Sequence, residues 1–493
     1  MNKKLLKFLP LLGVLALSAC GPAPSSEGGG KEVVDVEVTI KYVNSYGKNY
    51  QAQIDKMLEK FHEEHPKITV QEVKIGGYDQ IHTQTVSDIS AGNGEYGDLV
   101  ICYPDHVVDY INYGVAVKLD DYIDDPNIGW TADEKADMIQ GFLEEGRKYP
   151  VAGTYSLPYS KSTEALWYNA DVVIGLNLSS VDPTINNGQP LTAEYIDNLT
   201  WEEFLDKLCP AIEAYNNALP ADEKIIIDGG EGSLTGICGY DSTANLFINL
   251  CEQYGYGYSH SDLQTGKGVL DFDNANVKAL MKKFSDAAKK NYLVPSTRIA
   301  NNSYCSSYFT AQNLLFNIGS TAGVGHEHSD NFITNVTSIP GAAGGNKHVI
   351  SQGPSLCLLS HPEDGKEMKE ARIQAAWELY KFLSDTKNSA SWALTVGYLP
   401  VRTSSLETEA YMDYASTAGK TPTSLEALQA KNAQYSTAAS NNVFTSDVFK
   451  GSSTARTQVG ALMSHVLNNF DMTDAEIDQL FTTTVNNIKL DMD

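Results

Sequence analysis

The sequence predicts an α/β protein with more than one lobe. The chain has 493 residues, about three times a usual domain of roughly 100–200 residues. Strand patterns alternate with amphipathic helix patterns along it, which is typical of a mostly parallel sheet covered by helices. Hydrophobic residues make up 42% and charged residues 20%, so the chain has enough apolar residues to bury a sizeable core.

The first elements follow the N-terminal region closely. A strand is predicted by the alternating apolar residues Val34, Val36, Val38 and Ile40. A helix is predicted by the apolar face of Ile54, Met57, Leu58 and Phe61. Pro66 ends this helix, and strands over 68–75 and 98–102 and a helix over 107–113 follow.

Later elements are separated by longer connections. One apolar face over 277–288 and a nearly all-apolar stretch over 371–383 predict two packed helices. Short apolar runs at 314–318 and 355–359 predict strands. The capping-box pattern from Thr473 to Glu476 predicts the start of a last helix.

The N-terminus has the pattern of an export signal. Lys3, Lys4 and Lys7 precede a short apolar stretch over 8–17, and small residues follow. Leu17-Ser-Ala-Cys20 resembles the bacterial lipobox, which implies a lipoprotein signal peptide over 1–19 and a lipid on Cys20. An ordinary signal peptide cut nearby is the alternative. Residues 20–32 would form the lipidated cysteine and a flexible tether, and no later stretch has the ~20 apolar residues of a membrane-spanning helix.

Charge and cysteine content restrict the partners. The net charge is −26, and an acidic surface repels nucleic-acid phosphates, so we expect no nucleic-acid partner. Six cysteines remain besides Cys20. Their spacings are wide and contain no Cys-x-x-Cys pair, so disulfides and buried free thiols both stay open.

Enzyme and metal motifs are incomplete in this chain. His62 and His65 lie one residue short of the zinc-protease spacing, and His326 with His328 has no obvious third ligand nearby. The Gly-Lys pair within 262–268 lacks the rest of a phosphate loop, and no Gly-x-Ser-x-Gly is present. We therefore predict no catalytic residue, no metal and no cofactor.

Aromatic residues in loops suggest a carbohydrate site. Aromatic faces pack on the C–H faces of sugar rings, and carboxylates and amides accept hydrogen bonds from the hydroxyls. The candidates stand in or beside stretches rich in Gly, Pro, Asn or Ser: Tyr78, Tyr103, Tyr159, Trp167, Tyr168 and Tyr398. The alternative is that each of them packs in a core.

Several segments resemble one known family in chain order. Residues 157–171 (LPYSKSTEALWYNAD) resemble the first crossover of family 1 extracellular solute-binding proteins, the receptors of sugar-type ABC importers. Residues 390–402, which contain VGYLPVR, resemble a late segment of that family. Residues 317–323 (NIGSTAG) resemble its ligand-facing turn, and 353–359 fit as well.

The resemblance implies a fold and a function. The fold is the two-lobed periplasmic-binding-protein-like fold of type II, with a ligand cleft between α/β lobes that are joined by hinge strands. Lobe one would comprise 33–155 plus 350–398, and lobe two 156–349 plus 399–493. The implied function is capture of a small molecule and delivery to the permease subunits of an ABC importer. We expect a monomer, held on the extracytoplasmic face of the cell membrane by its lipid anchor alone.

The resemblance also assigns ligand-facing residues and ligand classes. The residues expected at the cleft are Tyr78, Asp105, Ser162, Asp241, Ser320, Tyr398 and Arg456. A mono- or oligosaccharide is the preferred ligand. The segments are nearest to the glycerol-3-phosphate-binding branch, where an arginine matching Arg456 faces the phosphate, so glycerol-3-phosphate or a glycerophosphodiester is the alternative. A secreted hydrolase is a remote third interpretation.

Overall fold

The computed structural model describes residues 30–227, 234–299, 304–416, 423–439 and 442–492. The strands, in chain order, are β1 (Val38–Asn44), β2 (Ile68–Lys74), β3 (Leu99–Cys102), β4 (Leu157–Pro158), β5 (Glu164–Asn169), β6 (Cys238–Tyr240), β7 (Ser259–Asp262), β8 (Lys267–Leu270), β9 (Leu293–Pro295), β10 (Phe316–Ser320), β11 (Thr334–Thr337), β12 (Val349–Ile350), β13 (Ser355–Leu358) and β14 (Val443–Phe444).

Helices connect most of these strands. They are α1 (Gln51–Glu64), α2 (Tyr78–Ala91), α3 (Pro104–Asn112), α4 (Asp120–Ile123), α5 (Ala132–Asp137), α6 (Gln140–Leu143), α7 (Ala170–Val173), α8 (Ala193–Asp197), α9 (Trp201–Glu203), α10 (Cys209–Ala218), α11 (Thr243–Gln253), α12 (Ala275–Lys289), α13 (Ser306–Thr310), α14 (Val324–Glu327), α15 (Lys366–Leu383), α16 (Thr386–Val396), α17 (Glu409–Ser416), α18 (Leu425–Ala439), α19 (Ser452–Asn468) and α20 (Asp474–Met492). None of the described helices is long and apolar enough to span a membrane.

The first lobe is built on a five-stranded sheet of order β2-β1-β3-β13-β4. The strands β1, β2 and β3 are parallel, and β13 runs antiparallel to β3 with Leu356 opposite Ile101. Helices α1 and α15 pack against it, with Phe61 and Trp377 fully buried. Apolar residues on these helix faces and on the strands form one continuous core.

The second lobe is built on another five-stranded sheet, of order β11-β5-β10-β6-β9. Here β10 is parallel to β6 but antiparallel to β5, and Ile318 of β10 lies opposite both Tyr240 and Leu166. Helices α11, α12 and α19 cover this sheet and form a second core. Trp201 and Phe284 meet edge to face inside it, with ring centroids 5.2 Å apart.

The chain passes between the sheets in segments that lie side by side. The first runs from Pro158 to Glu164 and the second from Ile350 to Ser355; they are bridged by the pair Ser162 and Gln352. Leu399 bridges to Lys161 from the far side. These segments are the hinge region. The sequence-based division at 155/156, 349/350 and 398/399 stays a prediction.

Several predicted elements have the expected position. Ile54, Met57 and Phe61 are the buried residues of α1. The Thr473 hydroxyl accepts from the Glu476 backbone N–H, and the Glu476 carboxylate accepts in return from the Thr473 backbone N–H at 2.7 Å. All six described cysteines are free and buried, which resolves the question of disulfides in favour of thiols.

The boundaries of other elements differ from the sequence prediction. The strand predicted over 34–40 is β1, which begins only at Val38, because the ladder with β2 starts at the pair Val38 and Ile68. The backbone N–H of Val34 instead donates to the Gln374 side chain at 2.9 Å. The helix predicted from Val107 begins at Pro104, a residue preorganised for the first helical position.

Candidate functional site

A cavity of about 800 Å³ lies between the two lobes. Its walls come from three sources: the first-lobe loop and helix that begin at Tyr103, the hinge segments around Ser162 and Gln352, and the ends of the second-lobe strands. Residues at the start of α19 complete the second-lobe side. The volume is within the range of roughly 300–1,000 Å³ that is usual for small-molecule sites.

The structure brings six of the seven predicted residues together. These lining residues are Asp105, Ser162, Asp241, Ser320, Tyr398 and Arg456. The seventh, Tyr78, is not among the lining residues and lies behind Tyr103, with ring centroids 4.9 Å apart. Its hydroxyl is hydrogen-bonded to Tyr398. That these residues bind a ligand stays a prediction.

The first-lobe wall is the N-terminal turn of α3. Tyr103 precedes Pro104 at the start of the helix, and both residues line the cavity together with Asp105 and His106. The buried ring of His106 stacks on His82 with ring centroids 4.4 Å apart. Burial lowers the pKa of His106, so its imidazole is neutral at pH 7.

A buried ion pair anchors the hinge beneath the cavity. The Lys161 ammonium, which is fully buried, contacts the Glu145 carboxylate and donates to the Gly353 carbonyl at 2.7 Å. Ser355 donates to the same carboxylate at 3.1 Å. Gly353 has φ of +83°, and a Cβ there would lie 2.0 Å from the Ser160 carbonyl oxygen. Only glycine fits where these two hinge segments touch.

The second-lobe wall contains a buried carboxylate that sequence reasoning missed. Glu164 begins β5 and accepts hydrogen bonds from Tyr240 (2.7 Å), Asn249 (2.8 Å) and Asn245 (2.9 Å). Arg456 donates to the other side of the Asn245 amide. Burial raises the pKa of Glu164 to about 7 despite these donors. The sequence does contain one sign of this site, namely a single acidic residue, Glu164, in an otherwise largely apolar strand.

Two further carboxyl groups converge on one glycine of β10. A Cβ on Gly319 would lie 2.6 Å from Asp241 Oδ2 and 3.2 Å from Glu327 Oε1. Asp241 Oδ1 accepts from the Cys305 backbone N–H at 2.7 Å, and Glu327 Oε1 accepts from Asn317 Nδ2 at 2.8 Å. Burial raises the pKa of Asp241 to about 6, and burial together with the Asp241 charge raises that of Glu327 well above its usual value.

The cavity has aromatic walls, but not all of them were predicted. Tyr103 and Tyr398 line it as expected, joined by Tyr258 and the exposed ring of Tyr304. Burial raises the pKa of Tyr103 to about 12, so its phenol is neutral. The other three predicted aromatics do not line it, because their side chains are buried in the apolar interior of the lobes: Tyr159, Trp167 and Tyr168.

Carboxylates outnumber cationic side chains around the cavity. Seven acidic residues line it: Asp79, Asp105, Glu145, Glu164, Asp241, Glu327 and Asp447. Among the described residues, Arg456 is the only lysine or arginine that does so. Within the described ranges, no three His, Cys, Asp or Glu side chains are grouped so that they could hold a metal ion. The cavity is therefore suited to hydroxyl-rich or cationic groups.

Comparison with known protein families gives a match over most of the chain. The model of the bacterial extracellular solute-binding proteins matches residues 56–418. A protein of Brucella abortus (strain 2308) that carries the name of a binding protein is 28% identical over 165 residues. That match covers 32% of this chain and about a third, 34%, of the length of the relative.

Solved structures share the two-lobed fold at low sequence identity. UgpB from Mycobacterium tuberculosis in complex with glycerophosphocholine is 17% identical, with a TM-score of 0.63 over 92% of this chain and 98% of that one. The sugar-binding protein MalE from Xanthomonas citri is 14% identical, with a TM-score of 0.64 over 92% and 98%. The GacH receptor of Streptomyces glaucescens, solved with acarbose, is 14% identical, with a TM-score of 0.62 over 93% and 100%.

Proposed function

The chain belongs to the bacterial extracellular solute-binding proteins, and we propose that it is the receptor of an ABC importer that captures a mono- or oligosaccharide. One observation carries the proposal. The cavity between the lobes combines tyrosine rings with carboxylates, amides and hydroxyls, and has a single guanidinium among its described lining residues. Such walls suit a ligand with many hydroxyl groups and apolar ring faces.

The two walls would contribute different contacts to a sugar. On the first lobe, Tyr103 and Tyr398 offer aromatic faces, and Asp105 offers a carboxylate that accepts from hydroxyls. On the second lobe, Asp241 and Ser320 lie at the ends of β6 and β10. A ligand that touches both walls stabilises the closed arrangement by its higher affinity for it, and the closed form then docks on the permease.

A glycerophosphodiester is the second candidate ligand. Arg456 lines the cavity and could form a paired contact with a phosphate. The M. tuberculosis neighbour UgpB, solved with glycerophosphocholine, favours the same chemistry. Against it stand the seven carboxylates of the cavity, which oppose the entry of an anion.

Calorimetry with both ligand classes tests the proposal. We expect binding of one or more neutral or aminated sugars from a panel of mono- and oligosaccharides, and their recovery intact after incubation, as a receptor rather than a hydrolase requires. Tight binding of glycerol-3-phosphate or glycerophosphocholine that Arg456→Ala abolishes would replace the sugar with the phosphoester. Arg147→Ala is the control, since Arg147 pairs with Glu144 outside the cavity.

We also propose that the mature protein begins at a lipidated Cys20, which lies outside the described residues. The support is the export pattern and the lipobox-like Leu17-Ser-Ala-Cys20. Expressed in a bacterial host, the full chain should fractionate with membranes, and Cys20→Ser should release it into the soluble extracytoplasmic fraction. Retention of the variant in the membrane fraction would contradict the anchor.

A further inference from the structure

The Asp241 and Glu327 carboxyl groups lie close together at the end of the second-lobe sheet. They approach the same glycine, Gly319, from the end of β6 and from α14. Neither has an ion-pair partner among the described residues. Glu327 is only 2% exposed, lines the cavity, and its Oε2 atom has no hydrogen-bond partner in the described part of the chain.

The donors around this pair are all neutral. Asn317 donates to Glu327 Oε1 and the Cys305 backbone N–H donates to Asp241 Oδ1, and the side chains of Cys305 and Asn317 are also hydrogen-bonded to Asp241. The charged groups near the pair are His326, which is exposed, and Glu164, which adds negative charge. Arg456 is directed to Asn245 instead. A buried carboxylate oxygen without a donor costs free energy, and two adjacent carboxylates repel each other.

Other buried carboxylates have cationic or hydrogen-bonding partners within the chain. Glu145 is paired with Lys161, and Asp98 with Arg372 at 2.7 Å. Glu164 receives hydrogen bonds from three side chains. Glu327 alone among these combines deep burial, a neighbouring acid and a buried oxygen without a hydrogen-bond partner among the described residues, and Glu327 is also a lining residue of the ligand cavity. Because both residues line the cavity, a cationic group of a bound ligand would approach the pair from the cavity side.

We propose that Asp241 and Glu327 bind a primary or secondary ammonium group on the ligand, so that the captured carbohydrate is an amino sugar or another amine-bearing saccharide. Such a group supplies the positive charge and the N–H donors that the pair lacks. Glu327 Oε2 and Asp241 Oδ2 are its acceptors. The inference rests on the proposed function and narrows it from carbohydrate to aminated carbohydrate.

Matched sugars that differ only at the amine test the inference. The probes are D-glucosamine, D-galactosamine and chitosan oligosaccharides, each compared by calorimetry with its N-acetyl form, and glucosamine and galactosamine also with glucose and galactose. We expect at least one amine to bind about tenfold or more tightly than its uncharged counterpart. Glu327→Gln should remove most of that preference. Asp330→Asn should preserve it, because the Asp330 side chain is 99% exposed and does not line the cavity.

The outcomes separate the inference from the proposed function. If uncharged sugars bind and no amine binds more tightly than its counterpart, the inference is overturned and the receptor for neutral sugars stands. Choline and glycerophosphocholine carry a quaternary ammonium group without N–H donors. If either binds more tightly than every amine, the proposed hydrogen bonds from a ligand ammonium to Asp241 and Glu327 are overturned as well. If no saccharide of either kind binds, both proposals fail. If Glu327→Gln and Asp330→Asn reduced the preference for amines equally, that preference would reflect general charge attraction, and the inference would again be overturned.

Discussion

Buried acidic side chains have cationic partners in the first lobe and neutral hydrogen-bond donors in the second. In the first lobe, Asp98 is held by Arg372 and His361, and Glu145 by Lys161 at the hinge. In the second lobe, Glu164 has only neutral donors, and Asp241 with Glu327 lacks an ion-pair partner among the described residues. The first arrangement is complete within the chain and serves stability. Glu145 and the three second-lobe acids all line the cavity, but Asp241 and Glu327 do so without an ion-pair partner among the described residues.

The largest loss of stability is expected when the cationic partner of a buried first-lobe acid is removed. Lys161→Met leaves Glu145 buried without its partner and should lower the free energy of unfolding by about 3–5 kcal/mol. Urea unfolding at pH 7 measures this. The surface pair of Lys135 with Asp124 provides the control, since Lys135→Met should cost less than about 1 kcal/mol. A loss of the same small size for Lys161→Met would show that Glu145 needs no counter-charge.

The second lobe should show a pH dependence of its own. A carboxyl group with a raised pKa binds a proton in the folded state more readily than in the unfolded one, so its contribution to stability is full below about pH 4 and is lost as pH rises through 6. For Asp241, with a pKa of about 6, this amounts to roughly 2–3 kcal/mol. Asp241→Asn should flatten the decline in ligand-free stability between pH 4.5 and 7.5, measured by denaturant unfolding.

Asp98 should give the opposite pH dependence of stability in the same unfolding experiment. Burial alone would raise its pKa, but hydrogen bonds from His361 and Arg372 outweigh burial and hold the pKa below its ordinary value. Its contribution is therefore present above about pH 4 and is lost as pH falls further. Asp98→Asn should reduce stability at pH 7 and weaken the acid-side decline, while leaving the slope between pH 4.5 and 7.5 unchanged. Equal slopes for both variants would contradict the comparison.

The first-lobe wall should matter for binding more than for stability. Asp105→Ala combined with Tyr398→Ala removes a carboxylate that accepts hydrogen bonds from hydroxyls and an aromatic face. The double variant should lower the affinity for the identified ligand by about tenfold or more. Calorimetry checks the affinity, and thermal unfolding without ligand checks that the fold is intact. Val108→Ala combined with Tyr113→Ala is the control, because Val108 lies on α3, Tyr113 directly follows that helix, and neither residue lines the cavity. Unchanged affinity would remove Asp105 and Tyr398 from the site.

The smallest effect is expected at a link between the lobes. Asp447 accepts from the Ser261 backbone N–H at 2.9 Å in the second lobe and pairs with Lys148 of the first at 3.5 Å. Since both partners are partly exposed, Asp447→Ala should cost about 1 kcal/mol or less in urea unfolding. A loss above about 3 kcal/mol would place Asp447 with the buried, balanced acids of the first lobe.

Local patterns predicted many elements because their causes are local. The apolar spacing of Ile54, Met57 and Phe61 gives α1 one buried face whichever element it packs against. Thr473 caps α20 through a hydrogen bond with Glu476, three positions later in the chain. The start of β1 could not be predicted in this way. Val34 and Val36 continue the alternation, but the strand begins where β2 offers a partner, at Val38.

The sequence by itself determined the α/β class, the two-lobed family fold and the segments that approach the cleft. Six of the seven residues chosen from those segments line the cavity, since the resemblance carried their positions. Only the tertiary structure decided which aromatics face it: Trp167 and Tyr168 lie on β5, a central strand covered on both faces, so alternation exposes neither. It also decided the partners of Glu327. Asp241 and Gly319 meet it through pairing of β6 with β10, strands about 80 residues apart, and whether a buried charge is balanced depends on such distant neighbours.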